Sequence, residues 1–494
     1  MPAPLLPSYY GFFMKYLICL ALLIAPPAFA KWWIEPSELA VRADLQFLAD
    51  HRLLSQPLNT YPLVWSAIAT ELQALDPQSL STRQQAARQR LLAAWQQDQQ
   101  LGFSYHVDAA TSENRFYSFG DHFRDKAAVQ VRYQFSSQHL SGKLAAATTT
   151  RGDEGQRWRA DDSYLAARLG NWIISAGSLD RYWGPSWDTS LQLSQNARPV
   201  PMLSLTRYNS EALDLPLLRW LGPWTFTTGF GQLEGERAIP NARLWAARAS
   251  AKPLAGLEIG TSWSMLWGGE GYGNGLSDWW QDLFQGGSEQ GTENMLAGYD
   301  IRWSDVIAGV PYGLYAQVTA EDFHREKRRL INTAFLLGAD IYVEALDSRI
   351  YLEFSDTKVG CSAESRKLYN CLYEHSFHLD GYRYHRQSLG STYDNDALTW
   401  VAGIITPLAT QISWHNKVRW LRLNLDGLDL SEPGGNKVSP GRYEQVLQAQ
   451  TTYQYQLQDG KLSITAALTH RHWPGIAKGD RIEPALALSW EGRF

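Results

Sequence analysis

From residue 102 onward, apolar and polar residues alternate one by one. Val129, Val131, Tyr133 and Phe135 alternate with Gln130, Arg132 and Gln134. Leu257, Ile259, Trp263, Met265 and Trp267 alternate with Glu258, Gly260, Ser262 and Ser264. Tyr443, Leu447, Tyr453, Tyr455 and Leu457 share one face, opposite Gln448, Gln450, Gln454 and Gln456. Leu462, Ile464, Ala466 and Leu468 oppose Lys461, Ser463, Thr465 and Thr469. A period of two places successive side chains on opposite faces of a strand. The second face is polar throughout, which suits a water-filled barrel and not the interior of a sandwich. About eighteen such strands fit between residues 102 and 494, in keeping with the even numbers typical of such barrels.

The connectors sharpen this reading. Short ones, at Gln138-His139, Ala409-Thr410 and Gln458-Asp459-Gly460, alternate with long polar ones at 180–199, 268–293, 360–396 and 427–441. With both ends of the barrel in the periplasm, every long connector falls outside the cell. Two places strain the pattern. Residues 209–222 make a longish inner turn, and Trp414 to Leu425 changes apolar face near Trp420, which calls for a bulge. The last strand, Ile482 to Phe494, puts Leu486, Leu488, Trp490 and Phe494 on one face and Ala487, Ser489, Glu491 and Arg493 on the other. A barrel needs such a strand to close against the first and leave no edge. Trp490 and the terminal Phe494 are read as the closing signal for barrel-assembly machinery.

Before residue 102 the period is helical. Val41, Leu45 and Leu48 mark one helix, Val64, Ile68, Leu72 and Leu75 a second, and Ala87, Leu91 and Trp95 a third that Ser81 or Thr82 caps. Three short helices make too small a core to be very stable alone, so this unit is expected to dock on something larger. Residues 1–30 read as a signal peptide, with Lys15, an apolar core from Tyr16 to Ala25, and Ala28-Phe29-Ala30 for cleavage. Met14 is an alternative start. The expected organisation is therefore 1–30 signal peptide, 31–100 periplasmic helical bundle and 101–494 outer-membrane β-barrel.

Composition supports export to a membrane. Aromatic residues make up 13% of the 494 residues, as girdles and sugar-stacking surfaces require. Mean hydropathy is −0.32, and no apolar run after residue 30 is long enough for a membrane helix. The formal net charge of −5 argues against nucleic acid as a partner. Of Cys19, Cys361 and Cys371, the first falls in the signal segment. The other two are expected to form a disulfide in an oxidising compartment, worth about 2–3 kcal/mol.

Candidate chemistry lies in the long outer connectors. Asp180-Arg181-Tyr182-Trp183-Gly184-Pro185-Ser186-Trp187 sets an Arg among three aromatics. This suits a sugar, by stacking on ring faces and by pairing with hydroxyls or acid groups; a girdle cluster around a Gly-Pro turn would look the same. Tyr382-Arg383-Tyr384 with Arg386, Asp394 and Asp396 sits in the longest connector, which is expected to fold inward over the lumen. Adjacent Trp279 and Trp280 must be covered or used. His375, His378 and His385 follow Cys371 without a paired ligand motif, so no metal is expected. No cofactor motif, nucleophile elbow or P-loop is present.

Taken together, the signal peptide, the helical segment, R-Y-W-G-P (Arg181 to Pro185), G-Y-R-Y (Gly381 to Tyr384) with Asp394 and Asp396, and the terminal Phe resemble the Wzi family of capsule-assembly outer-membrane proteins. The resemblance implies a plugged or narrowed eighteen-stranded barrel with a helical bundle at its periplasmic mouth. It implies a lectin-like, non-enzymatic role that holds exported capsular or extracellular polysaccharide at the surface of the bacterial outer membrane. Asp180, Arg181, Tyr182, Trp183, Trp187, Tyr382, Arg383, Tyr384 and Arg386 are the candidate contacts. Outer-membrane lipid, the barrel-assembly machinery and a polysaccharide export complex are the other expected partners. A saccharide porin or exporter is the alternative; an outer-membrane enzyme acting on glycan or lipid is a further one.

Overall fold

The computed structural model describes residues 31–99, 101–150, 155–216, 218–284, 293–324, 329–360, 371–409, 411–428 and 438–494. Most of them form one closed antiparallel ring. Its strands are β1 Gly102–Ala110, β2 Ala127–Ser136, β3 Leu140–Thr149, β4 in two pieces at Trp158–Arg159 and Tyr164–Leu169, β5 Trp172–Gly177 and β6 Met202–Arg207. Then come β7 Trp224–Gln232, β8 Arg243–Leu254, β9 Leu257–Trp267, β10 Asn294–Ile307, β11 Val310–His324 and β12 Arg329–Val343. The ring ends with β13 Ser348–Asp356, β14 Leu398–Ala409, β15 Ile412–Leu423, β16 Glu444–Leu457, β17 Gly460–His472 and β18 Asp480–Arg493. Both pieces of β4 pair with β3, so the ring has the eighteen strands expected from the alternation. β18 closes on β1, from Ala487 opposite Ala110 to Arg493 opposite Ser104.

The wall is apolar outside and polar inside. Leu486 and Leu488 stand exposed while the alternating Ala487 and Ser489 are buried, and the same holds for Val129 and Val131 around Gln130. A surface built this way is stable against acyl chains, and closure leaves every strand of the ring paired on both sides. This is an outer-membrane β-barrel. The strand β15 does not contain the bulge expected near Trp420. Its pairing runs unbroken from Ile412 to Leu423, with Trp414, Val418 and Trp420 outward and Leu421 and Leu423 fully buried. The apolar face changes because the upper lumen is filled with protein, so inward-facing leucines there meet apolar neighbours and not water.

The three expected helices form as α1 Leu39–Asp50, α2 Trp65–Ala74 and α3 Thr82–Asp98. At the start of α3 the Gln84 N–H donates to Ser81 Oγ at 3.3 Å while the Ser81 N–H donates to Gln84 Oε1 at 2.9 Å, a reciprocal cap. Ten residues of α1 are buried, including Arg42, Asp44 and Asp50. A three-helix bundle alone cannot cover all sides of one helix. Here the barrel does so, for α1 lies in its mouth against β10, β11 and β14.

One more helix, α4 at Leu276–Phe284, lies on the outside of the wall. Its Trp279 ring sits 5.2 Å from Phe230 and 5.6 Å from Trp245, both outward-facing. Trp280 stacks on Phe284 at 4.3 Å, and both remain exposed. Of the adjacent tryptophans, one is covered and the other is available at the level of the lipid headgroups.

At the seam, the Phe494 N–H donates to Phe103 O at 3.2 Å and its ring lies 5.0 Å from that of Tyr105. Deleting Phe494 is expected to lower the amount of heat-modifiable barrel recovered from outer membranes. Normal recovery would show that the terminal side chain is dispensable for closure.

Candidate functional site

The connector from β5 to β6 leaves the extracellular end of the wall and turns down into the lumen. Tyr182 and Trp183 form a two-residue antiparallel ladder with Tyr61 and Thr60 of the helical unit. A long connector and the helical unit therefore meet inside the ring. Arg42 of α1 stands at the junction. Its guanidinium donates to Pro185 O at 3.0 Å and lies 4.4 Å from the Phe119 ring centre and 4.6 Å from that of Trp187. Tyr182 and Tyr61 complete the box at 5.4 and 5.6 Å. A desolvated cation among aromatic faces contributes about 2 kcal/mol for a good contact.

The wall holds this loop with fixed polar groups. Glu353 accepts from the backbone N–H groups of Trp187 and Asp188. Gln317 Oε1 accepts from Leu191 N–H at 2.9 Å and its Nε2 donates to Trp183 O at 3.0 Å. Asp340 accepts from Trp187 Nε1 at 3.0 Å and from Arg302 at 2.6 and 3.0 Å, and also pairs with Arg349. Arg349 reaches on to Asp50 of α1 at 2.8 Å. Higher up, Arg419 of β15 donates to Asp188 at 3.0 Å and to the Tyr393 hydroxyl at 3.0 Å.

The connector from β13 to β14 lies over the first loop. The Tyr373 hydroxyl donates to Leu191 O at 2.6 Å, and that of Tyr382 to Gln192 O at 3.1 Å. Arg383 binds Asp394 through two bonds of 2.8 Å and Glu374 through one of 2.7 Å. Arg237 caps this turn by donating to Arg383 O and Gly381 O. Burial pushes the Asp396 carboxyl up to about 8. Cys371 is disulfide-bonded; Cys361 lies outside the described residues.

The candidate contact residues thus occupy two different environments. Tyr182, Trp183, Trp187, Tyr382, Arg383 and Tyr384 are buried inside the plug, where they touch protein. Asp180 and Arg181 are half-buried; Arg181 donates to Leu179 O at 2.9 Å and to Ser204 Oγ on β6 at 2.6 Å. Arg386 alone of the nine is exposed, on the outer rim.

The sequence reading passed over residues 111–126, between β1 and β2. They line a cleft of about 330 Å3 at the extracellular mouth, through Asn114, Arg115, Tyr117 and Arg124, with Asn196 and Gln387 from other loops and Arg471 from β17. Arg115 and Arg471 both bind Glu444, which fixes the rim. The interleaving of Arg115, Phe116, Tyr117 and Arg124 was the available signal, of the same kind that drew attention to Arg181 to Trp187.

A structure of Wzi from Escherichia coli, described as an outer membrane protein involved in group 1 capsule assembly and a carbohydrate-binding β-barrel, superposes with a TM-score of 0.78 at 21% identity, over 92% of this chain and 98% of that one. The outer membrane protein OprD from Pseudomonas aeruginosa matches at a TM-score of 0.45 and 11% identity, over 79% of this chain and 92% of that one. An uncharacterized 55.8 kDa protein in the cps region of Klebsiella pneumoniae is 29% identical over 332 residues, which span 63% of this chain and 64% of that protein. The family model described as capsule assembly protein Wzi matches residues 96–480, from the end of α3 to the start of the last strand, and the chain belongs to that family.

Proposed function

We propose that this protein holds exported capsular polysaccharide at the cell surface, on the closed outer mouth of the barrel. The observation that carries the reading is the shared plug. A lumen occupied by an outer loop paired with Thr60 and Tyr61 is suited to present a fixed surface and not to pass a polymer. Family membership and the carbohydrate binding named for the E. coli protein support the same direction. In this reading the buried aromatic and arginine residues hold the loops, Arg115 and Asn114 brace the rim through Glu444 and Asp121, and Arg386 and Gln387 offer a guanidinium and an amide to hydroxyls and acidic groups. A long polymer needs only weak contacts, because each repeat engages at high effective concentration. No catalytic step is part of this role. The barrel-assembly machinery would read Trp490 and Phe494, and an export complex would deliver the polymer from below.

The test replaces Arg386 and Gln387 with Ala together and compares cell-bound with shed polysaccharide at equal barrel level. A shift toward shed polymer is expected, and binding of purified barrel to the polymer should fall in parallel. Unchanged retention and binding would mean that the rim does not hold the glycan.

A further inference from the structure

Two cavities approach each other inside the ring, on the side that runs from β17 through β18 and β1 to β3. The lower one, of about 310 Å3, begins at the periplasmic rim beside Gln97, Gly102 and Arg493 and ends at Tyr117, Asp121 and Asp180. The upper one is the extracellular cleft, which ends at Tyr117, Arg124 and Asn196. Tyr117 lines both. Above its ring, at 4.0 Å, lies the Arg124 guanidinium, which donates to Gln195 O at 2.8 Å and to Asn196 O. Gln195 in turn donates to Asp180 at the head of the lower cavity, at 3.4 Å. Tyr117 thus borders both cavities, with Arg124 over its ring on the upper side. Beside it, the Tyr182–Trp183 ladder is packed solid, with both side chains buried.

We propose that the two cavities are halves of a single water path, and that the Tyr117–Arg124 stack is a gate for ions and small polar solutes. Three features support this. Both chambers have polar walls, as conduction of hydrated ions requires. The lower walls carry both signs, Lys143 and Lys461 against Glu35 and Glu491, so neither cations nor anions are excluded. The stack is held by one cation–π contact and by backbone carbonyls, which water can replace, and not by a buried ion pair. Displacement of Arg124 alone would bring the chambers into contact. Gln387 lines the upper chamber and also belongs to the proposed glycan surface, so conductance is read on purified protein without polymer, which keeps the two readings distinguishable.

The experiment is conductance of the purified full chain in planar bilayers. The unmodified protein is expected to stay closed. Tyr117→Ala is expected to give discrete current steps, and Arg124→Gln, which keeps the ring, smaller ones. Trp280→Ala, on the outer wall, should stay closed. With Tyr117→Cys, a bulky membrane-impermeant thiol reagent should react from either side. Silence of a heat-modifiable Tyr117→Ala barrel would overturn the proposal. If that variant does not assemble, silence of Arg124→Gln overturns it instead, and so does current of equal size through Trp280→Ala.

Discussion

Replacing Asp340 with Ala is expected to release the floor of the plug from the wall and to cause a large loss of stability. Asp340 receives Arg302, Arg349 and Trp187 Nε1. All four side chains are buried. Its removal leaves two guanidinium groups in a dry site with only Asp50 to share, at 2.8 Å from Arg349 and 3.7 Å from Arg302. Breaking such a buried pair from one side costs about 3–5 kcal/mol. The temperature at which the barrel loses its compact gel mobility should fall, and protease added to the periplasmic side should cut the helical unit faster. Asp340→Asn keeps the shape and loses the charge, so it should fall between. A variant with unchanged melting and cleavage would show that Asp50 alone neutralises both arginines.

Loss of Arg383 should act at the other end of the plug. Its guanidinium holds Asp394 and Glu374 together and its carbonyl accepts from Arg237. Arg383→Ala therefore leaves a fully buried carboxylate unpaired in a turn that also covers Leu191 and Gln192. The connector over residues 371–397 should loosen while the wall stays intact, because the strand ladders do not include it. Cell-bound polysaccharide should drop, more than with Arg386→Ala alone, and further when Arg181→Ala is added. Arg383→Lys should restore little, since one ammonium cannot grip the carboxylate in two-pronged fashion. Full retention by the Arg181, Arg383 double variant would mean that neither the sugar nor the shape of the mouth depends on these residues.

The barrel was legible because its physics is local. A residue on a strand faces lipid or lumen according to parity, and Val129 beside Gln130 states that choice directly. The connectors were legible by length alone. The path of a connector was not. Tyr182 and Trp183 have the composition of a sugar-stacking surface and also of a plug core, since burial and stacking favour the same side chains. The partner that decides between them, Thr60-Tyr61, lies more than a hundred residues away in a unit of different secondary structure. Arg42 is one charge on an amphipathic helix, and only the ring of Phe119, Tyr182 and Trp187 around it gives it a task. The face change near Trp420 had the same root. Leu421 and Leu423 break the lumen's polarity only if the lumen holds water, and at that height it holds the plug.

The ladder between Tyr182–Trp183 and Thr60–Tyr61 also sets how the molecule bears force. Flow over a capsule pulls on whatever surface retains it. A loop standing free on the rim would peel from one end, one bond at a time, at low force. Here the pull on the outer loops runs down to the ladder and sideways into Glu353, Gln317 and Arg419 on separate strands. These attachments are loaded together, as rivets in parallel and not as the teeth of a zipper. Rupture then requires several of them to fail within the same moment, and the load ends in the wall itself, whose hydrogen-bonded strands the membrane supports on every side.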